Sequence, residues 1–121
     1  MNKIQNLKPY DLEERTALFA ECCRDFVKKL PRSVCNFEYG KQLIRSSGSQ
    51  AANYIEANEA LGRKDFAMRI KICRKETKES CLWLRLCDVG IDSGLENERG
   101  GLLKEAVELR KIFTSILDKS K

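Results

Sequence analysis

The side chains of this sequence that can do chemistry are cations and thiols, while the usual catalytic set is missing. Histidine does not occur. That removes the general base that titrates near neutral pH, imidazole metal ligands, and the Glu-x-x-His pairs that hold di-iron sites in helical bundles. Thiolates alone can bind zinc, but Cys22, Cys23, Cys35, Cys73, Cys81 and Cys87 include no C-x-x-C pair. Neither a zinc ribbon nor a thioredoxin-like centre is therefore indicated, and nothing marks Cys22-Cys23 as redox-active. Glu56, Glu59 and Asp65 lie close together across a turn, yet with Lys64 and Lys71 beside them salt bridging is a better reading than metal binding. Ser46-Ser47-Gly48-Ser49 sits inside a helical pattern and lacks the spacing of a phosphate loop. No catalytic residue, metal or cofactor is expected, and the reading is a protein that is not an enzyme.

The cations are different, because their spacing is organised. In the stretch RKDFAMRIKICRKETKES and just beyond it, Lys64, Lys71, Arg74, Lys75, Lys78 and Arg85 fall within roughly a third of a helix circumference at ~100° per residue. Asp65, Glu76 and Glu79 fall on the other flank, near Ile72 and Trp83. Lys71/Lys75 and Arg74/Lys78 are like-charge i,i+4 pairs, each destabilising an isolated helix by ~0.2–0.5 kcal/mol. Two readings stand side by side. One is a solvated face that keeps the chain soluble. The other is a surface for an anionic partner, above all a nucleic-acid backbone, because clustered Lys and Arg release condensed counterions on binding phosphate. Tyr10, Tyr39, Tyr54 and Trp83 are scattered and mostly core-like, so base stacking is not indicated.

Four amphipathic segments must position these groups. The chain has 121 residues, 42% hydrophobic, 34% charged and 7% aromatic, with a net charge of +5 and only two prolines. That composition suits one helical domain over residues 1–121 rather than a sandwich or barrel. The expected helices run over about 11–30, 36–61, 64–89 and 95–118, as an all-α, antiparallel up-down-up-down four-helix bundle. Asp11 with Glu14 suggests a capping box, Leu30-Pro31 a stop, Asn36 a second cap, and Gly90 a left-handed C-cap. Gly100-Gly101 weakens the start of the fourth helix.

Folding the second and third helices back at Gly62 pairs Phe37 with Cys87, Gly40 with Leu84, Ile44 with Ser80, Ser47 with Thr77, Ala51 with Cys73, Tyr54 with Ile70 and Asn58 with Phe66 in one register. Small residues such as Ser47, Gly48 and Ala51 would let the two helices approach closely. In this arrangement Lys41 and Arg45 extend the basic sector, so that helices two and three share the basic face and Glu56 and Glu59 interrupt it at one end. The N-terminus, MNKIQNLKPYD, has no apolar run resembling a secretory signal, and no window is apolar enough to span a membrane. A cytoplasmic protein with reduced thiols follows as the expectation, most of them acting as small hydrophobes.

The phrases YDLEERTALFAECCRDFVKKLP, KQLIRSSGSQAANYIEANEA and KDFAMRIKICRKETKESCLWL, over about Tyr10 to Leu86, resemble the bacterial four-helix-bundle proteins encoded in intervening sequences of large-subunit ribosomal RNA genes. More distantly the chain resembles the accessory variability determinant of diversity-generating retroelements. The fourth helix resembles the family only in length and pattern. The resemblance implies a four-helix bundle, a ring-like homopentamer, no enzymatic activity and an association with nucleic acid. Cys22, Cys23 and Cys87 lie outside the family pattern, which favours reading them as packing residues. Val27, Leu43, Ile72, Leu82, Trp83 and Leu86 lie off the simple apolar stripes and are candidates for subunit contacts.

The expected function is that of a homo-oligomer binding RNA or DNA through phosphate contacts from Lys71, Arg74, Lys75 and Lys78, supported by Lys41, Arg45 and Arg85. The alternative is an oligomeric scaffold that presents the same face to an acidic protein partner.

Overall fold

The computed structural model describes residues 11–120. Within them the chain forms four helices: α1 (Leu12–Lys29), α2 (Val34–Asn58), α3 (Arg63–Leu86) and α4 (Ser93–Lys119). Tyr10 lies outside the described residues. Each helix packs on its sequence neighbour, and α1 closes the ring against α4, giving the antiparallel up-down-up-down bundle. Phe19, Phe26, Leu43, Ile70, Leu84, Leu102, Leu109 and Phe113 are fully buried along its axis.

The helix ends have local causes that differ in part from the sequence expectation. Asp11 is the N-cap of α1, but its side chain makes no capping hydrogen bond, so the capping box does not form. Glu13 and Glu14 in the first turn and Lys28 and Lys29 in the last still complement the helix dipole. Leu30 is extended, as its position before Pro31 requires. Ser33, not Asn36, caps α2, its Oγ accepting from the Asn36 N–H at 3.0 Å. Asn36 is instead buried and ties two loops together. Its Nδ2 donates to the carbonyls of Pro31 and Asp88, each at 2.8 Å, and its Oδ1 accepts from the Asp88 N–H at 2.8 Å.

Helix α2 ends three residues before Leu61, as Glu59 and Ala60 turn tightly onto the carbonyls of Glu56 and Ala57. Helix α3 ends before Cys87, where Arg99 donates to the Cys87 carbonyl at 2.6 Å. Gly90 is left-handed, with φ +67, but it lies in the following turn rather than at the helix end. The Asp92 side chain caps α4 by accepting from the Leu95 N–H at 3.0 Å, and the helix runs unbroken through Gly100-Gly101.

The predicted register between α2 and α3 holds, with Asn36 beside Asp88, Arg45 beside Glu79 and Asn53 beside Arg69. The face of α2 turned inward matches only in part: Gly40, Ser47 and Ala51 are buried and Tyr54 packs against the core, but the rest of the expected stripe does not turn inward. Phe37 and Ile44, assigned to the seam, are 65% and 45% exposed, and Asn58 is exposed too. Leu43, Ser46, Gln50 and Ala57 take their places in the interior. Hydrogen bonds make this polar packing tolerable. The Ser46 and Ser80 hydroxyls are 2.8 Å apart, and the Gln50 amide donates to the Thr16 carbonyl at 2.7 Å. Gly48 accordingly lies outside the internal seam, and a Cβ built there would meet nothing within 4 Å.

Candidate nucleic-acid interface

Helix α3 has two flanks. On the flank facing α2 stand Glu76 and Glu79, and on the flank facing α4 stand the cations. Lys71, Arg74, Lys75, Lys78 and Arg85 line an open groove of ≈ 870 Å³ whose second wall is α4, contributing Arg110 and Thr114. The groove continues past Arg74 and Arg110 toward Lys111, Ser115, Asp118 and Lys119. The half-buried Cys81 and the exposed Leu82 also line it. Arg74 is held in place by a 3.5 Å hydrogen bond to the Thr114 hydroxyl.

Among the described residues, none of Lys71, Arg74, Lys75, Lys78, Arg85 and Arg110 has a carboxylate within 4 Å. Glu79 is the carboxylate on the rim of the main groove, and it is engaged elsewhere, 3.0 Å from Arg45. Concentrated, unneutralised cations on a concave surface make a positive field that attracts multivalent anions.

Two of the residues assigned to this face lie elsewhere. Arg45 reaches across the opposite flank of α3, where its guanidinium pairs with Glu76 at 2.9 Å and Glu79 at 3.0 Å. Lys41 points along the α1–α2 side, 3.8 Å from Glu38 and 4.8 Å above the Phe37 ring. The basic face is therefore shared by α3 and α4, not by α2 and α3. The reason is handedness: the same four antiparallel helices can circulate in either sense, and α2 flanks the acids of α3 in one sense and its cations in the other. Arg110 was missed on the same account. Its signal is its place one turn before Thr114 on the α3-facing side of α4, which becomes informative once α4 is known to flank the cations.

The remaining candidates fall into ordinary packing roles. All six cysteines are free, and Cys23, Cys73 and Cys87 are buried. Burial pushes the Cys73 thiol up to about 12 and raises Cys22, Cys23 and Cys87 as well, so these thiols stay protonated near neutral pH. Burial also raises Cys81, opposed by the neighbouring Arg110 charge. Trp83 is half-buried and stacks on Tyr39, with ring centroids 6.0 Å apart. Asp65 pairs with Arg69 at 3.9 Å. Glu56 and Glu59 do not form the expected bridges to Lys64 and Lys71 and are exposed, without an ion pair among the described residues. No group of three metal-ligating side chains is assembled among the described residues. No described helix is long and apolar enough to cross a membrane.

With the groove in view, one comparison with solved structures is informative. The chain shares its fold with a bacterial protein. That protein, from Bacteroides thetaiotaomicron, is described as of unknown function and from the S23 ribosomal protein family. The two superpose with a TM-score of 0.71 at 26% identity, over 87% of this chain and 96% of the other. No family model matches the sequence, and no curated protein matches it.

Proposed function

We propose that this protein is a non-enzymatic, homo-oligomeric nucleic-acid-binding protein of the bacterial cytoplasm, and that the α3–α4 groove contacts phosphates. The observation that carries the reading is the set of six unpaired cations facing one groove. Their like charges destabilise α3 slightly, and phosphate is the partner that relieves that repulsion. No aromatic side chain lines the groove, so the binding is to the backbone rather than to stacked bases. The S23 ribosomal name of the similar structure makes structured RNA the first probe to try. The resemblance to intervening-sequence proteins implies five copies in a ring.

The test is fluorescence anisotropy of nuclease-treated protein with structured RNA, duplex DNA and single strands at several salt concentrations. Log affinity should fall linearly with log salt, with a slope of about 0.9 per phosphate contact on a duplex. Replacing Lys71 and Lys75 with Glu should reduce that slope by about 2 and weaken binding to all sequences alike. Helicity and oligomer mass should not change. No binding to any probe at low salt would sink the proposal.

A second reading has its own observation. Leu82 and Leu86, beside the same cations, are 43% and 42% exposed. A cationic groove with an apolar edge also fits an acidic amphipathic segment of a protein partner, making the chain a scaffold. Capture of one acidic protein that survives nuclease, together with no direct nucleic-acid binding, would favour it.

A further inference from the structure

A second surface lies across the bundle from the groove. The helices touch in the circular order α1, α2, α3, α4, so the α1–α2 side is opposite the α3–α4 side. There Leu30-Pro31 stops α1, the chain turns through Arg32 and Ser33, and α2 starts back. The two helices come close at Gly40, where a Cβ would stand 2.9 Å from Val27 Cγ1. Beside that contact Val27, Leu30, Pro31, Phe37 and Ile44 enclose a shallow depression of ≈ 410 Å³. Phe37 and Ile44 remain exposed to water. Asn36 fixes the elbow in this shape, because its side chain ties the Pro31 carbonyl to the Asp88 backbone of the next loop. The depression is thus formed before anything enters it, which lowers the cost of binding there.

The depression also has a charged rim, formed by Lys28, Arg32 and Lys41. Lys41 is partly compensated, standing 3.8 Å from Glu38 and 4.8 Å above the Phe37 ring. Lys28 and Arg32 have no carboxylate within 4 Å among the described residues. Asp25, one turn before Lys28, is engaged by Arg24 at 3.1 Å. Positive charge is therefore in excess around an apolar centre, and the two parts together restrict what can fill it. A phosphate backbone would compensate the cations and leave Phe37 and Ile44 wet. A bilayer surface cannot enter a depression between two helices. A helix that carries large apolar residues three or four apart, with carboxylates beside them, satisfies both parts.

We propose that the α1–α2 elbow docks an acidic amphipathic segment of another protein. One large apolar side chain of that segment enters the depression against Phe37 and Ile44, and its carboxylates face Lys28 and Arg32. Burying the Phe37 ring supplies the affinity, and the two unpaired cations decide which sequences are accepted. Glu38 repels acids on the Lys41 side, so the partner's carboxylates belong on the Lys28–Arg32 side. The elbow and the groove are on opposite sides of the bundle, so both can be filled at once. The chain then links a protein to a nucleic acid, and the elbow keeps its partner whatever the groove binds.

The test starts from a phage-displayed library of random peptides of about 16 residues, selected on the full chain and counter-selected on Phe37→Ser. Enriched peptides should be acidic, with apolar residues three or four apart. The best of them, synthesised with a fluorophore, should bind the wild type in anisotropy. They should lose about tenfold or more in affinity for Phe37→Ser and for K28E/R32E. Phe37, Lys28 and Arg32 are exposed, so both variants should keep the helicity of the wild type. Glu38→Gln should tighten binding. Charge reversal at Lys71 and Lys75 should leave peptide affinity unchanged even where it abolishes RNA binding, which separates the two surfaces. No peptide surviving the counter-selection, enrichment of basic or uncharged peptides, displacement of the peptide by RNA, or equal binding to K28E/R32E would each overturn the proposal. So would a lower oligomer mass in Phe37→Ser, which gives the face to a second copy, or Phe37-dependent binding to vesicles of anionic phospholipid.

Discussion

The two flanks of α3 use the same residue types to opposite ends. Toward α2, Arg45 is clasped by Glu76 and Glu79, Arg69 donates to Asn53 at 3.0 Å, and Ser80 meets Ser46. Toward α4, cations just as strong face a groove in which, among the described residues, none of them has a carboxylate within 4 Å. The first flank is built for cohesion and the second leaves its electrostatic capacity unspent. What separates them is the neighbouring helix rather than anything in α3 itself, because α2 approaches the acids of α3 and α4 contributes another arginine.

Substitutions on either flank should therefore have effects of different kinds. Arg45→Ala carries the largest expected loss of stability. It strands Glu76, which is only 5% exposed, and should cost about 2 kcal/mol in urea unfolding while the salt dependence of nucleic-acid binding stays as in the wild type. If Arg45→Ala instead weakened binding and spared stability, the assignment of the flanks would be reversed. Arg110→Ala is the counterpart. Its stability should remain within about 0.5 kcal/mol of wild type, because no ion pair is lost, and the log–log salt slope should fall by about 1.

The smallest effect concerns thiols on the two sides of the helix. Cys73 is buried and held well above the ordinary thiol value, so it should resist alkylation at pH 8 until the chain unfolds. The folded chain keeps that proton while the unfolded chain releases it, so stability should decline as pH rises past the ordinary thiol value of 9.0. Cys81 is half-buried and lines the groove beside Arg110. Its alkylation should be slower in Arg110→Ala and slower again when nucleic acid fills the groove. Equal rates with and without nucleic acid would count against the groove as the binding surface.

The bundle was legible in the sequence because apolar positions recur at helical spacing between clear breakers, and α3 declared its inward face through Ile70, Cys73, Thr77, Ser80 and Leu84. Helix α2 did not. It carries one apolar line through Leu43, Ala51 and Ala57 and another through Phe37, Ile44 and Ile55, and periodicity alone cannot tell an internal seam from an exposed stripe. Only partners settle it: Ser80 for Ser46, Thr16 for Gln50, and Asp88 for Asn36. The α3 half of the candidate site was legible too, since five of its cations lie in one sector of a single helix. The α4 half was not, because the sense in which four helices circulate is a property of the assembled bundle and leaves no mark on any one of them.

Asn36 has a consequence for how the chain finds this arrangement. Its amide meets the Asp88 backbone only when α2 and α3 stand in the native alignment, with residues 52 positions apart brought side by side. A slip of α2 along α3 by one turn would leave the apolar contacts largely serviceable, since both helices repeat at similar intervals. It would also cost Asn36 both bonds to Asp88, leaving its side-chain carbonyl oxygen unpartnered and its Nδ2 with the Pro31 carbonyl alone, at a penalty of about 1–3 kcal/mol. The asparagine thus acts as a key cut for one alignment, rejecting near-copies of the fold that greasy surfaces alone would accept.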